Sequence, residues 1–316
     1  MLEIAQEAAR LWGFDGARVR LAARRENVVF RVATGAGDFA LRLHRPGYRS
    51  DDELASELDW MHVLAAGGLD VPDPVARPEG GYLATVGEHQ VDVLSWVPGA
   101  PLGRAGELAG VGDRAVFCRR LGAVMARMHD ISDAWERPAA FTRPAWDRDG
   151  LLGEAPLWGR FWEHPHLKPA ERVLLERVRA AAGPVLARLE AGADYGLIHA
   201  DLLSENMLRD GDRVFLIDFD DGGWGFRDFD LATFLLRFED APDYPELRRA
   251  LCEGYAVRRQ VRQDELDLFL LLRALTYPGW IADRLGEPGA AERSQRAVAT
   301  ATRSAWRWLE TYGGTP

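Results

Sequence analysis

The stretch HADLLSENMLRDGDRVFLIDF, residues 199–219, decides how this chain is read. Two apolar runs, "NMLRD" and "VFLIDF", flank the turn residues of "RDGD", and a third, "YGLIHA", leads into them. That is the pattern of short strands joined by a tight turn. Strands of this kind rarely carry many polar groups, yet His199, Asp201, Asn206 and Asp218 all fall here, with Asp220 and Asp221 directly after. A lone Asp or Asn in a turn usually does no more than cap backbone amides. Several at a set spacing point to a shared task.

His199, Asp201, Leu202 and Asn206 fit the spacing H-x-D-L-x-x-x-N, and Asp218 closes the strand that follows the turn. Transfer of a γ-phosphoryl group needs positioning and charge stabilisation far more than covalent help. In such a site Asp201 takes the proton of an acceptor hydroxyl, while Asn206 and Asp218 offer the hard oxygen ligands that suit Mg²⁺. The expected catalytic residue is therefore Asp201, the expected metal ligands are Asn206 and Asp218, and the expected cofactors are ATP and Mg²⁺. His199 reads as structural support, as buried polar groups are generally paired.

Working outward, "VRLAA", "VVFRVA" and "FALRLH" are short alternating or β-branched runs separated by turn residues, and "GGYLATV" and "HQVDVLSWV" add two more. Between the two groups, Ser50 and Glu53 have capping-box spacing ahead of the stripe Leu54, Leu58, Met61 and Leu64. The expectation is a five-stranded antiparallel sheet with an inserted helix, preceded by an amphipathic helix through Ile4, Ala8 and Leu11. Pro98, Gly99 and Pro101 break the last strand, which sets an expected boundary between an N-terminal lobe, 1–97, and a C-terminal lobe, 98–316. The second lobe reads as mostly helical, with helices near 114–129 and 168–190 and three more beyond Phe229.

A phosphoryl-transfer site also needs a cation for the nucleotide phosphates. "FALR" brings Arg42 to the end of a strand, and Glu57 lies in the following helix on the turn facing the sheet, so the two form the expected pair. No G-x-x-x-x-G-K-[ST] is present, which excludes an ordinary P-loop enzyme, and no G-x-G-x-x-G precedes the strand. The turn "ARREN", residues 23–27 and ending at Asn27, is left as the expected cover for the phosphates.

The segments "FALRLHRPGY", "SELDWMHVL", "LSWVPGAPL", "LGAVMARMH", "GLIHADLLSENML", "LIDFDD" and "RDFDLA" occur in an order that resembles the aminoglycoside phosphotransferase and choline kinase superfamily, in particular its type II homoserine kinase-like branch. The resemblance runs nearly end to end. It implies an α+β, bilobal, protein-kinase-like fold and an ATP-dependent kinase of small-molecule hydroxyls. It also implies that the backbone around Leu94, Trp96 and Val97 binds adenine and that Asp230 of "DLA" braces the catalytic loop. Arg42 departs from the lysine that many relatives have at that place. Ala200 stands where regulated protein kinases carry the arginine that captures an activation-loop phosphate, so no phosphorylation switch is expected.

The chain has 316 residues, 47% of them hydrophobic, and a net charge of −10. Such an acidic balance argues against a general nucleic-acid binder, since that task needs a basic face. Cys118 and Cys252 are too few and too far apart for a disulfide framework or a zinc site, which favours the cytoplasm. Neither a secretion signal nor a membrane span is expected, and the protein should be a monomer or homodimer.

The acceptor is the least legible part. Trp224, Tyr277 and Trp280 are expected to stack on it, Arg273 to bind a carboxylate, and Asp220 or Asp221 to bind a second metal or a cationic group. Amino acids, amino alcohols, sugars and aminoglycosides all satisfy the catalytic residues. Two other readings stay open: a serine/threonine protein kinase of the same fold, and a non-catalytic nucleotide-binding regulator.

Overall fold

A computed structural model describes residues 1–24, 27–104, 106–190, 192 and 194–313. The middle of the turn expected to cover the phosphates lies outside the described residues. The chain divides into two compact units: Met1–Leu102, Asp130–Arg143 and Glu205–Asp220 form the first, and Gly103–His129, Pro144–Ser204 and Asp221–Pro316 the second.

The first unit opens with helix α1 (Leu2–Arg10), then β1 (Arg18–Arg24), β2 (Val28–Thr34) and β3 (Gly37–Leu43). Helix α2 (Asp51–Ala66) starts at Ser50, whose side chain accepts from the Glu53 amide while Glu53 returns the bond, so the capping box forms. Strands β4 (Leu83–Val86) and β5 (His89–Ser95) complete an antiparallel sheet in the order β1-β2-β3-β5-β4. Ala5, Ala8, Ala9 and Trp12 pack on Phe30, Val32, Leu41, Leu43, Val91 and Val93 to form its core. On α2, Leu54, Leu58, Trp60, Met61 and Leu64 are buried.

The short strand β6 (Ala100–Pro101) pairs with a strand far along the chain, so the sequence-based boundary after residue 97 differs from the division seen here. Gly99 makes that approach possible: its φ is +108° and a Cβ would lie 2.5 Å from the Arg209 carbonyl oxygen.

Helix α3 (Arg114–Ala134) follows, then β7 (Ala145–Trp146), α4 (Arg148–Leu152) and α5 (Pro169–Leu189), all but the last turn of α3 within the second unit. Strand β8 (Tyr195–Ile198) leads into the opening stretch. Strands β9 (Met207–Asp210) and β10 (Arg213–Leu216) form a hairpin that returns to the first unit, in the order β10-β9-β6. Strand β11 (Gly223–Phe226) pairs with β8 and β7. Helices α6 (Asp228–Leu235), α7 (Tyr244–Ala256), α8 (Gln263–Ala282) and α9 (Ala290–Tyr312) end the chain.

Helix α8 is buried on most of its surface, as expected for a helix whose apolar residues are not confined to one stripe. Gly279 brings it against the segment before α5, since a Cβ there would lie 2.4 Å from the Trp158 carbonyl oxygen. Among the described residues, no helix is long and apolar enough to cross a membrane.

Candidate active site

In the second unit, β8 ends in a loop that turns sharply at Ala200, whose φ is 64°. A left-handed backbone costs a residue with a Cβ of the order of 1–2 kcal/mol and persists only where neighbours impose it. Asp230, near the start of α6, imposes it: Oδ1 accepts from the Ala200 amide at 2.7 Å and Oδ2 from the His199 amide at 2.9 Å. His129 Nε2 lies 3.1 Å from the same Oδ2, and its Nδ1 lies 2.8 Å from the Tyr255 hydroxyl. Burial pushes the Asp230 carboxyl above its ordinary pKa, opposed by these donors and by His199. His199 is fully buried, and its Nδ1 accepts from the Asp201 amide at 3.3 Å. The strained turn is thus set by backbone donors that a contiguous loop supplies and by one carboxylate brought from α6.

Asp201, presented by this loop, is 19% exposed at its side chain. Its Oδ1 accepts from Arg273 Nη2 at 2.6 Å, and the same nitrogen lies 3.1 Å from the Tyr277 hydroxyl. Arg273 is fully buried, its Cζ stacked at 4.6 Å from the Trp158 ring and 4.8 Å from the Tyr277 ring. Burial alone would lower its pKa, but Tyr277 and Asp201 raise it, so the cation is secure. This guanidinium, closed to solvent, holds Asp201 through Nη2, while its Nε and Nη1 are shut off from water without a hydrogen bond.

Trp280 and Tyr277 are half-buried on α8, with ring centroids 6.2 and 6.1 Å from that of Trp158. Trp158 Nε1 donates to Asp221 Oδ1 at 3.3 Å. Trp224 is half-buried on β11, and its amide donates to the Pro144 carbonyl oxygen at 2.9 Å.

The first unit holds the other candidates. Arg42 Nε and Nη2 form a forked pair with Asp92, at 2.9 and 2.8 Å, and Nη1 donates to Glu57 at 2.9 Å. His44 Nε2 lies 2.6 Å from Asp92 Oδ2. Burial opposes ionisation of Asp92, yet Arg42 and His44 overcome it and bring its pKa down to about 2. Glu57 is likewise held below its ordinary range against burial, by Arg42 and then by Arg143. Such forked geometry is open to arginine and closed to lysine.

Arg143 binds this cluster to the end of the opening stretch. Its Nη1 lies 3.2 Å from Glu57 Oε2, and its Nη2 donates to the carbonyl oxygens of Phe219 and Asp220. Asp220 itself is buried, accepts from Asn27 Nδ2 at 2.5 Å, and lies 3.7 Å from Arg42 Nη1. Burial, and then the Glu57 charge, raise its pKa. The adjacent acids therefore part: Asp220 belongs to the first unit and Asp221 to the second.

Asn206 is buried, and its carbonyl oxygen accepts from the Ile217 amide at 3.0 Å, which ties it to the residue before Asp218. Asp218 is exposed and left-handed, with φ 69°. Asn206 ends the short turn before β9 and Asp218 follows β10, and an amide oxygen and an exposed carboxylate are ligands that fit Mg²⁺, which takes one or two protein carboxylates and completes its shell with phosphate and water. Leu94 lies in β5 opposite Ala40, and the Trp96 amide donates to the Asp38 carbonyl oxygen at 3.2 Å. Trp96 and Val97 are half-buried.

Sequence reasoning passed over Asp92 and Arg143, while Trp158 lies in PLWGRFWEHPH, one of the aromatic-rich stretches it held as candidates for the acceptor pocket. Asp92 sits in the alternation "VDVLS", where an acid at a buried position was the available signal. Arg143 in "FTRPAW" carries none, since its partners lie 76 to 90 residues away.

The chain matches the phosphotransferase enzyme family over residues 18–263. It is 29% identical to the homoserine kinase of Sinorhizobium fredii over 251 residues, covering 78% of this chain and 72% of that protein. It is 25% identical to the amicoumacin kinase of Bacillus subtilis, covering 74% of this chain and 67% of that one. Among solved structures, a microcompartment-associated aminopropanol kinase is 30% identical with a TM-score of 0.85, covering 98% of both chains.

Proposed function

This chain belongs to the phosphotransferase enzyme family and is an ATP-dependent kinase of a small-molecule hydroxyl, and from that premise we propose that Asp201 is its general base and a small hydroxylated amine its acceptor. The observation that carries the reading is the Asp201 carboxylate, held by Arg273 at one oxygen on a loop that Asp230 braces. As the acceptor oxygen bonds to the γ-phosphorus and the bond to the ADP oxygen breaks, Asp201 takes the hydroxyl proton.

Asn206 and Asp218 would hold Mg²⁺, which neutralises charge on the phosphates when bound. Arg42 is the side chain assigned to the nucleotide side, and its three nitrogens keep Asp92 and Glu57 in place. Asn27 ends the turn over the phosphates, and the backbone at Leu94, Trp96 and Val97 takes adenine. On the acceptor side, Asp221 beside Trp158, whose ring neighbours that of Trp280, suits an ammonium group, combining a carboxylate with aromatic faces. The relatives named for homoserine and aminopropanol both act on compounds with an amine and a hydroxyl, which supports this choice. Two buried cysteines without a disulfide accord with action in the cytoplasm.

The test is ADP release against hydroxylated amines, sugars and aminoglycosides, with wild type and Asp201→Asn. General-base removal should lower kcat by about 10²–10⁴-fold with ATP affinity within a factor of two. Turnover by the variant near the wild-type rate would sink the assignment. Phosphate incorporation into a protein alone would instead favour a protein kinase.

A further inference from the structure

Arg237 lies in the short turn Leu236–Phe238 after α6, half-buried, with its Cζ 4.6 Å from the centroid of the Tyr277 ring. Among the described residues its side chain has neither a hydrogen bond nor an ion pair, and its Nε is shut off from water without a partner. The same ring stacks with Arg273, whose Nη2 reaches both the Tyr277 hydroxyl and Asp201. Two guanidinium groups thus share one tyrosine, and Asp201 pairs with only one of them.

A partly buried cation without a partner is unfavourable, and the flat face of Tyr277 offsets that only in part. An anion supplied by a ligand removes the imbalance, and arginine suits a carboxylate because it can donate two parallel hydrogen bonds. The position matters as much as the charge. Arg237 is one tyrosine removed from the residue that holds the base, so a group bound to it belongs to a molecule whose hydroxyl lies at Asp201.

We propose that Arg237 binds a carboxylate of the acceptor, so that the substrate is a hydroxylated amino acid rather than an amino alcohol. The proposal rests on the kinase reading above and deepens it. Arg273 is the positioning residue for Asp201, and Arg237 is the specificity determinant. The division follows from exposure: Arg273 is closed to solvent, whereas Arg237 is accessible in part.

Matched acceptors that differ only by a carboxylate test it: L-homoserine against 3-amino-1-propanol, L-serine against ethanolamine, and L-threonine against 1-amino-2-propanol. In wild type the acid of at least one pair should exceed its amine by about 30-fold in kcat/KM, the scale of a charge-assisted hydrogen bond made in place. Arg237→Gln should bring that ratio close to one, and Arg237→Lys should restore part of it. Stabilisation of each variant by Mg·ATP in thermal melts shows that it is folded. Amines that equal or exceed their acids in all three pairs overturn this inference and leave the kinase reading intact. An unchanged ratio in folded Arg237→Gln overturns the assignment to Arg237. No ADP release with any of the six compounds, while a sugar or aminoglycoside is phosphorylated, overturns the inference together with the hydroxylated-amine reading.

Discussion

Arg143 Nη2 donates at 2.7 Å to the carbonyl oxygen of Asp220, two residues beyond the candidate metal ligand Asp218. The same nitrogen holds Phe219 at 2.9 Å, and Nη1 reaches Glu57, so one buried side chain fixes the backbone that leaves the left-handed Asp218. Groups that orient a metal ligand without touching the metal typically change affinity by about 10–100-fold. Arg143→Met should raise the Mg²⁺ concentration for half-maximal activity about tenfold, with Arg143→Lys between the two. A lower melting temperature with an unchanged Mg²⁺ requirement would leave Arg143 a structural residue only.

Arg42 satisfies two buried carboxylates at once, Asp92 and Glu57. Removing one partner of such a pair leaves an uncompensated charge and costs about 3–5 kcal/mol. Arg42→Met should lower the unfolding free energy by about 3 kcal/mol or more in urea titrations. A loss under about 1 kcal/mol would show that the carboxylates find other partners. The Asp92 pKa, depressed to about 2, sets the pH behaviour. Its contribution is fully present above its ordinary pKa near 4 and is lost as pH falls through about 2.

Asp228 has the opposite sign. Burial, reinforced by Glu265 and Asp194, pushes its carboxyl up to about 7. Between about pH 4 and pH 7 the folded protein holds a proton that the unfolded chain has released, so stability falls as pH rises through that window. Asp228→Asn removes the penalty. It should raise the melting temperature by about 3 °C or more at pH 8 and change it little at pH 4. Equal shifts at both pH values would be the contrary result.

Arg273 has Asp201 as its partner at 2.6 Å. Arg273→Met should lower kcat by about 10–100-fold, because misplacing a catalytic group by about 1 Å costs that much. KM for ATP should stay within a factor of two, and Arg273→Lys should recover part of the rate. A parallel loss of ATP binding would mean that the substitution disturbs more than the base.

The sequence by itself determined the elements whose information is local. The capping box at Ser50 and Glu53, the alternating strands and the hairpin at Gly211 are each written within a few residues. The catalytic-loop pattern is legible for the same reason: one short loop presents Asp201 and Asn206 and leads through a hairpin to Asp218, so their spacing is fixed by backbone geometry. The family resemblance rested on those segments, and the match over residues 18–263 covers them.

Tertiary structure alone decided who pairs with whom. Arg273 lies 72 residues from Asp201, and Asp92 lies 50 from Arg42. No periodicity links such partners, because ion pairs across a core depend on how elements pack and not on the repeat of any one element. It also parted Asp220 from Asp221, which in sequence are one acidic pair. A left-handed Asp218 and the carbonyl oxygens of Phe219 and Asp220 held by Arg143 shape the backbone just ahead of that division.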